Sequence, residues 1–181
     1  MYGMINKALQ HMVVEAHGEE VWERIRTRAG VEVEVFISNE GYPDEITHQL
    51  AGAASEVLRV PVEEVLRTFA SHWVLNTARQ EYGDLMATGG RTLREFLLNL
   101  PDLHTRVALI FPELRPPEFA CSEVTANSLR LHYRSTREGL TPFVVGLVEG
   151  LGGMFQTPVE VVPVTEAHGP GRDEFLVSWP G

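Results

Sequence analysis

The chain has 181 residues, 44% of them apolar and 22% charged, and carries a formal net charge of -10 from 25 acidic and 15 basic residues. That length suits one good core, or two small subdomains sharing one, and the acidic balance disfavours nucleic acid and anionic membranes, which both need a basic surface. Cys121 is the single cysteine, which excludes an intrachain disulfide, a multi-cysteine zinc site and a cysteine-ligated iron–sulfur cluster. The opening residues lack the basic-then-apolar layout of a secretory signal. No apolar run approaches the roughly 20 residues a membrane span needs, so a cytoplasmic protein is expected.

The first half reads as helical. Ile5, Leu9, Met12 and Val13 recur at helical spacing. Val21, Trp22 and Ile25 belong to a second short helix that should end near Gly30. Ile46, Leu50, Ala53, Ala54 and Val57 form a third stripe. Pro61 opens a fourth helix, with Val62, Leu66, Phe69 and Trp73 along one side. Thr92 followed three residues later by Glu95 fits a capping box, predicting a helix with Leu93, Phe96 and Leu97 inward. Pro101 should interrupt it, and another helical segment should run through His104 to Phe111.

Beyond Pro112 the pattern changes. Residues 119–124 and 128–134 alternate as strands do, the second with Leu129, Leu131 and Tyr133 on one face and a turn at Asn127 between them. Thr141 and Pro142 suit the N-cap and first position of a helix carrying Phe143, Leu147, Leu151 and Met154. Residues 159–164 and 175–179 read as two more strands, joined by a Gly- and Pro-rich loop around His168 to Gly171. The expected fold is α+β in a single domain: a helical N-terminal part over about residues 1–85, then a mixed part with a small antiparallel sheet over about 86–181.

Few residues point to chemistry. There is no G-x-S-x-G, P-loop or G-x-G-x-x-G, and no nucleophilic set stands out among the scattered serines and acids. The three glycines Gly150, Gly152 and Gly153 follow a helix instead of opening one, which is wrong for phosphate. Among seven histidines, His104 differs by sitting in an apolar helical segment. Alone, such a residue is more often a core histidine than a ligand. The positions three and four residues on are Val107 and Ala108, so a zinc site on this helix is not expected, whereas a haem needs only one protein ligand. Tyr133, Ser135 and Arg137 fall on one face of an extended segment and offer a phenol, a hydroxyl and a guanidinium to a pair of carboxylates. The bland alternative is an ordinary polar strand edge. Pro116-Pro117 reads first as a rigid connector.

These residues occur together in a recognisable pattern. The opening Met1-Tyr2-Gly3, the segment Leu100-Pro101-Asp102-Leu103-His104, the stretch Leu114-Arg115-Pro116-Pro117 and the Tyr-x-Ser-x-Arg motif at 133–137 resemble the H-NOX family. These are haem nitric oxide/oxygen-binding domains related to the haem domain of soluble guanylate cyclase. The resemblance spans essentially the whole chain and implies haem b held between the two parts without thioether bonds. It implies His104 as proximal iron ligand, Tyr133, Ser135 and Arg137 on the propionates, and Pro117 as the haem-distorting proline. Ile5, Leu9, Trp73, Phe143 and Leu147 would wall the distal pocket. Dioxygen-binding relatives carry a distal tyrosine where Phe143, or in an ungapped alignment Pro142, falls here. The resemblance therefore implies a non-enzymatic sensor that binds nitric oxide and carbon monoxide and excludes dioxygen. It would act as a stand-alone receptor on a separate partner, a histidine kinase or diguanylate cyclase, by weakening the His104–iron bond. Trp73 is the one distal donor, and a dioxygen-binding or redox-sensing haem protein is the alternative. A haem enzyme would need a distal acid–base residue, and a haem-free interaction module would be colourless.

Overall fold

The structure is a computed structural model that describes residues 1–111, 115–164 and 171–181. It divides into two compact units, Met1–Phe69 and Ala70–Gly181.

In the first unit, helices α1 (Gly3–His17), α2 (Glu19–Ala29) and α3 (Asp44–Leu58) pack in sequence order. Leu9 and Val13 of α1, Trp22 and Ile25 of α2, and Leu50 and Ala54 of α3 are all buried, so the three apolar stripes meet in one core. Gly30 ends α2 in the left-handed conformation (φ 66°), and its N–H and that of Val31 cap the last carbonyls. Helix α4 (Val62–His72) begins in this unit and runs into the next. Its buried side carries Val65, Phe69 and Ala70, with Leu66 only half-buried, so its apolar face is turned from the expected one.

In the second unit the chain passes directly from α4 into a π-helix at Trp73–Ala78 and then into the short helices α5 (Arg79–Glu81) and α6 (Gly83–Ala87). A π turn inserts a residue into the helical ladder and rotates the facing of every residue beyond it, which is why a strict 3.6 period cannot be carried through Trp73. Helix α7 (Leu93–Leu98) starts where the capping pattern places it: Thr92 Oγ1 accepts from the Glu95 N–H at 3.2 Å. The return bond departs from the usual box, because the Glu95 carboxylate accepts from the N–H of Arg91, at 2.8 Å. Asn99 separates α7 from α8 (Leu100–Ile110), which accommodates Pro101 in its first turn.

Strands β1 (Glu118–Ser122), β2 (Ser128–Arg134), β3 (Glu160–Val164) and β4 (Arg172–Ser178) form an antiparallel sheet in the order β1-β2-β4-β3. The inward residues Phe119, Leu129, Leu131, Tyr133, Phe175 and Val177 join Leu93, Phe96 and Leu97 of α7, Leu100 and Leu103 of α8, and the buried side of α9 (Thr141–Met154) in one apolar cluster. Leu140 is the N-cap of α9, so Thr141 is its first residue, one position from the expected start. Val144, Val145, Val148 and Leu151 are buried while Phe143, Leu147 and Met154 are half-buried. This helix is apolar on more than one side, so periodicity alone could not choose its inner face. Residues 165–170, including His168 and most of the loop expected there, lie outside the described residues, as does Leu114. Among the described residues no helix is long and apolar enough to cross a membrane.

Replacing Thr92 by Ala removes the acceptor for the Glu95 N–H, which should cost about 1 kcal/mol. Urea unfolding should show the midpoint lowered at unchanged slope, with Thr92→Ser restoring most of the loss. An Ala variant as stable as the parent would mean the cap contributes nothing.

Candidate functional site

His104 lies on the second turn of α8, next to the buried Leu103 that anchors this helix in the core. Its Nδ1 is 2.9 Å from the carbonyl oxygen of Leu100, one turn earlier. A carbonyl only accepts, so Nδ1 carries the proton and the lone pair resides on Nε2. Burial lowers the pKa of the imidazole from 6.5, partly opposed by the bond to Leu100, so the net effect favours the neutral ring. A neutral imidazole with a fixed tautomer and a free Nε2 is what a metal needs from a histidine.

The ring is positioned by aromatic contacts as well. The His104 and Phe119 centroids are 5.0 Å apart at 50°, and those of Phe119 and Tyr133 are 5.4 Å apart at 55°. Phe119 and Tyr133 are direct register partners on β1 and β2. Thus the sheet carries a continuous aromatic path from the histidine to the tyrosine of the Tyr-x-Ser-x-Arg motif.

The motif itself is not a simple strand. β2 ends at Arg134, so Ser135 and Arg137 lie beyond the strand proper. Hydrogen bonds hold these residues in place. The Ser135 N–H donates to the Gly171 carbonyl at 2.8 Å, and the Arg137 N–H donates to Ser135 Oγ at 3.1 Å. Gly171 has φ 70°, and a Cβ there would run into the Ser135 carbonyl, so both conformation and space favour glycine. Burial raises the Tyr133 phenol above its usual 10.0, while a hydrogen bond with Ser135 and the nearby charge of Arg137 act in the opposite direction. Arg137 Nη1 donates to the Arg115 carbonyl at 2.9 Å, which ties the motif to the segment leading through Pro116 and Pro117 into β1. The second unit therefore gathers His104, Tyr133, Ser135 and Arg137 around one end of β1 and β2. Its donors comprise one neutral imidazole and a set suited to carboxylates. Those residues fit a haem.

The remaining expected pocket residues are distributed over both units. Leu9 is buried and Ile5 half-buried on α1. Trp73 heads the π-helix and, with Leu147, lies half-buried against the core of the second unit. Phe143 stands in the first turn of α9. Tyr82 and Phe111, which the sequence did not single out, extend an aromatic row from Trp73: the Trp73–Tyr82 centroids are 6.4 Å apart and the Tyr82–Phe111 centroids 6.0 Å apart. Burial raises the Tyr82 phenol as well. Asn76, also unremarked in the sequence, places its amide 3.0 Å from His72 Nδ1 within the same segment. Cys121 is half-buried, donates to the Leu97 carbonyl at 3.5 Å, and has its thiol pKa pushed up by burial, the opposite of a reactive thiolate. Among the described residues no three His, Cys, Asp or Glu side chains cluster as a metal site.

Tyr133 should ionise later than an ordinary phenol. A group whose pKa is raised on folding contributes stability below its unfolded value and loses it as pH climbs through the folded one; the window opens at about 10 and extends upward. Near-ultraviolet titration should therefore show late phenolate steps, with Tyr133→Phe deleting one of them. A variant with an unchanged late titration would show that Tyr133 is not the shielded phenol.

Comparison with known proteins gives this geometry a family. The model of the haem-NO-binding family matches residues 2–162. Two soluble guanylate cyclases of Caenorhabditis elegans are similar: gcy-31 is 30% identical over 162 residues, 89% of this chain and 23% of that protein. For gcy-33 the identity is 27% over 177 residues, 98% of this chain and 19% of that protein. The chain spans about a quarter or less of the length of these relatives. Among solved structures, the Fe(II) unliganded H-NOX protein of K. algicida superimposes with a TM-score of 0.87 at 26% identity, covering 100% of this chain and 97% of that one. The H-NOX protein of S. oneidensis in the Fe(II)NO ligation state shares the fold, with a TM-score of 0.89 at 21% identity and complete coverage of both chains. With the open Nε2 of His104, its clustered donors and this match over most of its length, the chain belongs to the haem-NO-binding family of H-NOX gas-sensor domains.

Proposed function

We propose that this chain, as one domain, binds haem b with His104 as the proximal iron ligand and senses nitric oxide and carbon monoxide while excluding dioxygen. The observation that carries the reading is the His104 Nδ1–Leu100 bond, which leaves Nε2 as the ring's only lone pair. When bound, the haem would supply an iron able to take a diatomic gas. Tyr133, Ser135 and Arg137 hold the two propionates, with Arg137 giving the charge-assisted part. Pro117, stiffened by its ring, would be the residue that presses on the haem.

Ligand choice follows from the distal wall. Phe143 and Leu147 of the second unit are hydrocarbon side chains that would offer no hydrogen to a bound gas, whereas dioxygen would need a donor. Trp73 packs as part of the wall, its indole against Tyr82. A dioxygen-binding pocket is the second reading, favoured by the Trp73 indole N–H and the nearby Tyr82 hydroxyl. The signal passes to a separate partner, a histidine kinase or diguanylate cyclase in the cytoplasm, when the bond at His104 Nε2 weakens. α8 would carry that signal, because His104 is its link to the haem while Leu100 keeps the ring oriented.

Absorption spectra of the ferrous protein should change with nitric oxide and with carbon monoxide and stay those of the unligated form on exposure to air. A stable dioxygen complex in air would overturn the selectivity. Phe143→Tyr should introduce measurable dioxygen affinity; an unaltered response in that variant would remove Phe143 from the distal wall.

A further inference from the structure

The outer face of the sheet holds a cluster that the haem reading does not use. Ser122 at the end of β1, His132 on β2 and Glu174 on β4 all project from that face, since the residues between them, Cys121, Leu131, Tyr133 and Phe175, point inward. Ser122 Oγ is 2.7 Å from His132 Nε2, and His132 Nδ1 is 3.1 Å from Glu174 Oε1. A carboxylate only accepts, so the neutral imidazole carries its proton on Nδ1 and takes the Ser122 O–H on Nε2. Nucleophile to base and base to orienting acid are thus both within hydrogen-bond reach, the arrangement by which a hydroxyl becomes a nucleophile.

Three further features favour chemistry over a sealed polar network. The side chains stay within reach of solvent, His132 at 35% and Glu174 at 19% exposure. Arg130, the register partner of Ser122, is held between Glu174 at 3.0 Å and Glu123 at 3.1 Å and places a cation beside the serine, where charge would develop on a carbonyl oxygen. In the same cross-strand row, Leu176 and Val162 are register partners that leave 44% and 46% of their surfaces exposed, an apolar shelf on an otherwise polar face.

We propose that Ser122 is an acyl-accepting site for activated esters and thioesters with a short apolar acyl group. Ser122 Oγ attacks the carbonyl carbon as its proton passes to His132 Nε2. The carbon–oxygen or carbon–sulfur bond to the leaving group then breaks, and the alcohol or thiol departs with the proton from His132. The product is an ester of Ser122. Water returns the serine by the same route, releasing a carboxylic acid. Glu174 is a positioning residue for the imidazole, and Leu176, two strands from Ser122 in the same row, meets the far end of the acyl chain.

The test uses p-nitrophenyl acetate and p-nitrophenyl butyrate on the haem-loaded protein, with release of nitrophenol followed in time and the modified residue located by peptide mass spectrometry. The acyl group should map to Ser122, and butyrate should react faster than acetate. Ser122→Ala should abolish the adduct, and His132→Gln should slow its formation roughly 100-fold or more. Glu174→Gln should lower the rate constant at saturation without raising the half-saturating ester concentration. Haem absorption should be the same in all these variants. Acylation mapped to Lys7 or the N-terminus in place of Ser122, or an unchanged rate in His132→Gln, would overturn the proposal. Because mapping is done on the unsubstituted protein, the result stands even if a variant folds poorly. It is also independent of gas binding, so it and the haem reading can fail separately.

Discussion

The bond from the His104 ring to the Leu100 carbonyl is the constraint on which the functional site depends. It costs the helix little, because it reaches back one turn along α8 to a carbonyl already in place. It decides the tautomer, fixes the ring about its own axis, and leaves one nitrogen available. Burial reinforces the outcome by disfavouring the charged ring. The aromatic contact with Phe119 then transfers the position of the helix to the sheet, since Phe119 and Tyr133 are paired across β1 and β2. Helix, strand pair and motif are linked by successive contacts, from His104 to Phe119 to Tyr133.

Much of this is legible in the sequence where a pattern has a single interpretation. The alternation of Leu129, Leu131 and Tyr133 identifies β2 to the residue, and Thr92 with Glu95 marks the start of α7. Where two interpretations compete, the pattern misleads. The stripe through Phe143, Leu147, Leu151 and Met154 is a valid helical face, yet of its members only Leu151 is buried, and the adjoining side with Val144, Val145 and Val148 faces inward. The π turn at Trp73 breaks the period that carries α4. The pleat of an extended strand predicts the grouping of Tyr133, Ser135 and Arg137; the strand stops at Arg134, and hydrogen bonds to Gly171, within the motif and between Tyr133 and Ser135 hold the residues beyond it.

Contacts between distant segments are beyond the sequence altogether. Nothing in the spacing of Ser122, His132 and Glu174 announces that they meet, because the strand order β1-β2-β4-β3 alone puts them side by side. The same register that turns Phe119 and Tyr133 toward His104 turns their neighbours to the opposite face. One small sheet therefore presents two chemistries: an aromatic and donor-lined inner face, and an outer face with a serine, an imidazole and a carboxylate in line. Pleating makes them independent, since a substitution on one face need not touch the other.

The central claim is that His104 Nε2 is the bond between protein and iron. Reduced His104→Ala protein should lose the spectrum of an internally ligated ferrous haem and regain it when imidazole is added, with the imidazole taking the place of the missing ring. A His104→Ala protein whose reduced spectrum matches the parent without added imidazole would contradict the account.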